Sequence, residues 1–133
     1  MAGLYHTAPL AVSADIAWDF IERYTRSEVH VFSSCIAERQ EGDVRVVTIF
    51  NGDEVREENV TVDPLHMRAV YRIEGLHGAV HHQAEMRVEN GSGGQATLVW
   101  VTDFLPHSVA EEMRGPYGAL FEELVAAVNG HRP

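Results

Sequence analysis

There is no lysine in this chain, and only one cysteine. All ten basic residues are arginine, against 20 acidic residues, and the formal net charge is −10. Without lysine there is no Schiff-base chemistry on an ε-amine. Without a basic footprint nucleic acid is excluded as a partner, since phosphate contacts need clustered positive charge. An anionic membrane surface repels such a chain for the same reason. The single Cys35 cannot form an intrachain disulfide, which suits a reducing cytoplasm, the expected location. No apolar run approaches bilayer-spanning length, so membrane insertion is not expected. Met1 to Pro9 lack a basic region followed by an apolar one, so no signal peptide is expected. There is no phosphate-binding glycine loop and no Rossmann fingerprint, and no cofactor is expected.

What is present is a hydrophobic fraction of 45% over 133 residues, enough for one core-bearing domain spanning residues 1–133. Residues 4–12 read as a first strand. Ser13 is placed to cap a helix carrying Ile16, Ala17, Phe20 and Ile21 on one face, with Asp15 and Asp19 near its positive end. Tyr24 to His30 reads as a second short helical turn. From residue 31 the period becomes two. Val31–Arg39, Val44–Phe50, Glu54–Val62, Met67–Ile73, Val80–Val88 and Ala96–Phe104 read as strands. Asn51-Gly52, Asp63-Pro64 and the segment Asn90–Gly94 supply the turns between them. After Pro106, Val109, Met113, Tyr117, Leu120, Phe121, Leu124, Val125 and Val128 recur at helical spacing, with a kink expected at Gly115-Pro116. A run of strands with segregated helices is the α+β pattern. An antiparallel sheet with one apolar face must be covered, and the last helix is the only element long enough.

Four segments, VSADIAWDFI, VREENVTVD, YRIEG and ATLVWVTDFLP, in this order and spacing, resemble the START/Bet v 1-like (SRPBCC) superfamily, and within it the polyketide cyclase/dehydrase-type bacterial proteins. The resemblance implies a helix-grip fold: a curved antiparallel sheet of about seven strands around a long C-terminal helix, with one or two short helices after the first strand. It also implies a hydrophobic cavity whose occupant is a hydrophobic small molecule. The implied functions are cyclisation or dehydration of aromatic or polyketide-like substrates, and carriage or sensing of a lipid or hydrophobic metabolite. The chain departs from the family pattern at His82, where a Tyr or Trp is expected.

Strand parity places Trp100, Phe104, Leu98 and Thr102 on the inner face, with Met67, Tyr71 and Ile73. His82 shares a face with Val80, Ala84, Met86 and Val88. Two-residue loops at Asn51-Gly52 and Pro64-Leu65 pair Arg45 with Glu58 and Glu58 with Tyr71, bringing Arg45, Arg56, Glu58 and Tyr71 inward. A single bulge turns Val44, Val46, Phe50 and Glu57 inward instead, and the resemblance points to Glu57. The first register gives a candidate acid–base set of His82, Glu58, Tyr71 and Arg56. His82 takes a proton beside a carbonyl, and Tyr71 or Arg56 steadies the enolate oxygen. Trp100, Phe104, Met86, Met113, Tyr117 and Phe121 are the candidate ligand-binding residues. Each has a plainer reading: His82 as a core imidazole, Glu58 with Arg45 as a solvent-facing ion pair, and the aromatic residues as ordinary core. His81 and His82 point to opposite faces and no metal-ligand spacing occurs, so no metal site is expected. A homodimer through the outer sheet face is a further expectation.

Overall fold

The computed structural model describes residues 3–133. A seven-stranded antiparallel sheet has the order β1-β7-β6-β5-β4-β3-β2. Its strands are β1 (Gly3–Pro9), β2 (Cys35–Glu41), β3 (Val44–Ile49), β4 (Glu54–Asp63), β5 (Arg68–Ile73), β6 (His81–Asn90) and β7 (Ala96–Leu105). Helix α1 (Ala14–Tyr24) follows β1, and the long α2 (His107–Asn129) ends the fold. This is the helix-grip arrangement. No helix of the described residues is long and apolar enough to cross a membrane.

The local signals explain these elements. Ser13 Oγ accepts the Ile16 N–H at 3.3 Å, starting α1, and Asp15 lies in its first turn, where the helix dipole favours negative charge. The helix stops at Thr25. No second helix forms before β2, because Ser27 takes φ +60° and turns the chain out of line. Residues 31–34 are loop rather than strand, and β2 begins only at Cys35. The loop is tied to α2, where the Glu123 carboxylate accepts from both the Ser33 N–H and its hydroxyl. Helix α2 runs through Pro116 without a break. Proline leaves one carbonyl of the preceding turn without its helical donor, yet Val109, Ala110, Tyr117, Phe121, Leu124 and Val128 stay buried along one stripe.

The parity of β6 and β7 is as expected. Met86, Leu98, Thr102 and Phe104 are wholly buried, and Trp100 nearly so. Val80 is the exception: it precedes β6 and is exposed. The β3–β4 hairpin departs from the expected register. Ile49 N–H bonds Asp53 O at 3.0 Å and Gly52 N–H bonds Ile49 O at 2.9 Å, so the loop is Phe50-Asn51-Gly52. Gly52 holds φ +91°, a left-handed conformation that glycine adopts without steric cost. One extra loop residue moves β4 by one position, pairing Arg45 with Glu57 and Val47 with Val55. Because the side-chain period is two, the shift reverses every face assignment on β4. Further along, the register slips between Asn59 and Thr61. Val60 is the unpaired bulge residue and is exposed.

Candidate functional site

Between the sheet and α2 lies a cavity of about 320 Å³. Its sheet wall is Val47 and Ile49 of β3, Val55 and Glu57 of β4, Tyr71 and Ile73 of β5, and Trp100 of β7. Its helix wall is Met113, Pro116, Tyr117 and Leu120. Phe50, Leu76 and His77 come from loops at the sheet end, and Phe32 enters from the loop before β2. The aromatic rings pack on one another: Trp100 stacks on Tyr117 with centroids 5.4 Å apart and on Phe32 at 5.9 Å. Trp100 Nε1 donates to the Tyr71 hydroxyl oxygen at 3.2 Å, which orients that phenol on the wall.

One carboxylate reaches the lining. Glu57 Oε2 accepts from Arg45 at 2.7 Å and Glu57 Oε1 from the Tyr24 hydroxyl at 3.3 Å. Arg45 spends its other terminal nitrogen on Glu38, also at 2.7 Å, and its guanidinium lies 3.9 Å over the Tyr24 ring. Burial pushes the Glu57 carboxyl above its ordinary range, opposed by Arg45 and by the Tyr24 hydrogen bond. Burial also raises the Tyr71 and Tyr117 phenols and the Cys35 thiol, keeping all three protonated at neutral pH.

Of the residues singled out in the sequence, Tyr71, Trp100, Met113 and Tyr117 line the cavity. Glu58 and Arg56 do not. Their side chains are 48% and 57% exposed on the outer face, where Glu58 pairs with Arg72 and Arg56 with Glu41. The three-residue hairpin loop is the cause: it turns Glu57 inward and its two neighbours outward. The bulge alternative also fails in part, because Val44 and Val46 stay on the outer face with Arg56 and Glu58, while Arg45, Val47 and Ile49 point in. Met86, Phe104 and Phe121 are buried but belong to the core behind the cavity. Phe121 stacks on His6 at 5.3 Å, and Phe104 packs on His82 at 4.5 Å.

His82 is buried without lining the cavity, and its Nδ1 has no hydrogen-bond partner. Burial, with the nearby His77 and His81, lowers its pKa to about 4. The imidazole at the cavity is His77, whose Nε2 lies 3.3 Å from the Tyr117 hydroxyl. Burial lowers the His77 pKa as well. Sequence parity could not find His77, which sits in a loop at φ +60°. Phe32 was hidden the same way, in a segment expected to be strand. Arg45 did carry a signal, as one charge among valines in β3. Such a residue needs a buried partner, and an inward Glu57 supplies it. Among the described residues, no cluster of His, Cys, Asp and Glu is arranged to hold a metal ion.

The fold and cavity are those of the Bet v 1-like, or SRPBCC, class. The family model for "Polyketide cyclase / dehydrase and lipid transport" matches residues 1–130, and the chain belongs to that family. No curated protein matches in sequence. Similar solved structures include the XoxI protein of Bacillus cereus, 18% identical, with 97% of this chain and 94% of that chain covered and a TM-score of 0.81. The Zhui aromatase/cyclase of a Streptomyces species is 18% identical over 96% and 91% of the two chains, TM-score 0.73. Norcoclaurine synthase of Thalictrum flavum, in complex with dopamine and hydroxybenzaldehyde, is 16% identical over 98% and 88%, TM-score 0.73. At these identities the likeness is one of fold.

Proposed function

We propose that this protein binds an aromatic or polyketide-like small molecule in the cavity between its sheet and α2. The carrying observation is a space of about 320 Å³ walled by stacked aromatic and aliphatic side chains with a single carboxylate, Glu57, at its lining. Such a volume suits a ligand of two or three fused rings, and predominantly apolar pockets with a few oriented polar groups are how small-molecule sites are built. The Tyr71 hydroxyl, already accepting from Trp100, keeps its own proton for a ligand oxygen.

Titration with the neutral fluorophore N-phenyl-1-naphthylamine tests the reading. Saturable enhancement is expected with the wild-type protein and with Glu58→Gln, which lies outside the cavity. It is expected to be lost with Val47→Trp, which fills the space. Enhancement that survives Val47→Trp would place the probe elsewhere and end the proposal.

A catalytic reading is favoured by one further observation: the Glu57 carboxyl, raised by burial, lines the same cavity as the neutral His77 and protonated Tyr71. In a cofactor-independent cyclisation Glu57 would take the proton from a carbon between two carbonyls. That carbon forms the new C–C bond to a ketone carbon, and Tyr71 donates a hydrogen bond to the developing alkoxide. The alkoxide takes the proton back from Glu57, and the alcohol leaves as water as His77 takes the neighbouring proton and passes it to the departing hydroxide. His77 is thus the imidazole of the site in place of His82, and the first proton goes to Glu57 rather than to an imidazole. Loss of water from a linear poly-β-ketone, followed by mass spectrometry, should require Glu57 and be indifferent to Glu58. Saturable binding without turnover favours the carrier instead.

A further inference from the structure

We propose that the cavity selects aromatic molecules bearing an amine, bound as cations, and rejects carboxylic acids of the same shape. The inference rests on the ligand-binding reading above and adds the charge of the ligand. Three observations carry it. First, among the described residues Glu57 is the one formally charged side chain on the lining, and no guanidinium lines the cavity. Second, the buried charges do not cancel. Arg45 is shared between Glu57 and Glu38, each at 2.7 Å, so one positive group faces two negative ones. Both terminal nitrogens of Arg45 bond carboxylates and its plane is stacked on Tyr24; its Nε–H has no partner among the described residues, but Arg45 is not on the cavity lining. His30 bonds the other Glu38 oxygen from a largely exposed position. A carboxylate offers about four lone-pair sites, and Glu57 receives only Arg45 and the long Tyr24 contact. It therefore retains acceptor capacity toward the cavity.

Third, the walls beside Glu57 are π faces. Trp100, Tyr117, Phe32 and Tyr24 form a run in which Trp100 stacks with both Tyr117 and Phe32, and Phe32 meets Tyr24 edge-on. Aromatic faces with a nearby carboxylate attract an organic ammonium through cation–π and ion-pair terms together. The same set repels a carboxylate, for which the lining offers neutral donors such as the Tyr71 hydroxyl but no cation to offset the cost of burying its charge. The chain's net charge of −10 pushes in the same direction over longer range.

The test is a calorimetric titration of the intact wild-type protein, at neutral pH, with three naphthalenes of one shape: naphthylmethylamine, naphthylmethanol and naphthoic acid. The amine is expected to bind about tenfold tighter than the alcohol, and the acid at least as much weaker than the alcohol. Glu57→Gln should remove most of the amine's advantage over the alcohol, leaving the cation–π share. The wild-type series decides the point even where that variant fails to fold. An acid that binds as well as the alcohol, or an amine no tighter than it, overturns the charge selection while leaving the cavity reading intact. Failure of all three to bind overturns both.

Discussion

The two faces of β2, β3, β4 and β5 carry the same residue types and put them to opposite uses. On the outer face Arg39, Arg56 and Arg72 pair with Glu54, Glu41 and Glu58, with every partner about half exposed. On the inner face, one residue along, Arg45 pairs with Glu57 and Glu38 with all three side chains buried. Solvent screens the outer pairs, and each contributes little to stability. The inner triad has given up hydration and depends on keeping every partner. Glutamates 57 and 58 are adjacent in sequence, yet one is a candidate site residue and the other a surface charge. A charged pair in a sheet must therefore be read by its face before it is read by its chemistry.

The comparison breaks most sharply at arginine. Arg45→Met should cost about 3–5 kcal/mol by stranding Glu57 and Glu38 in the interior. Arg56→Met should stay within about 0.5 kcal/mol. Urea unfolding midpoints at matched pH measure both, and equal effects would show that the inner triad is as hydrated as the outer ladder.

Histidine sharpens the comparison next. On β6 His81 is exposed and His82 buried. His82 titrates near 6.5 when unfolded and at about 4 when folded. Between those values the unfolded chain binds more protons, so stability falls as pH drops through this window. The full loss from this residue is about 3 kcal/mol. His82→Phe should flatten stability between pH about 6.5 and about 4. An unchanged slope in the His82 variant would assign the acid sensitivity elsewhere. The smallest effect belongs to the outer ladder itself: Glu58→Gln should leave the urea midpoint nearly unchanged, and high salt should erase what difference there is.

Much of the architecture was legible in the sequence. The alternation of β6 and β7 named the buried set Met86, Leu98, Trp100, Thr102 and Phe104, and the spacing after Pro106 named the stripe of α2. Ser13 marked the start of α1. Strand and helix parity turned Tyr71, Trp100, Met113 and Tyr117 toward the interior, where they line the cavity, but it turned Met86, Phe104 and Phe121 inward equally, and these fill the core. The failures cluster where a loop intervenes. Phe32 and His77 reach the cavity from irregular segments, which have no period to read. Glu58 and Arg56 were misplaced by a single residue in the Phe50-Asn51-Gly52 loop.

The sequence by itself determined the order of elements, their buried stripes and the absence of any lysine to compete for the carboxylates. Tertiary structure alone decided which glutamate enters the cavity, which histidine lines it and which arginine is sacrificed to hold the buried charge. The reason is geometric. Periodicity is a property of each strand, whereas the phase between two strands depends on one loop residue, and with a side-chain period of two that residue exchanges inside for outside.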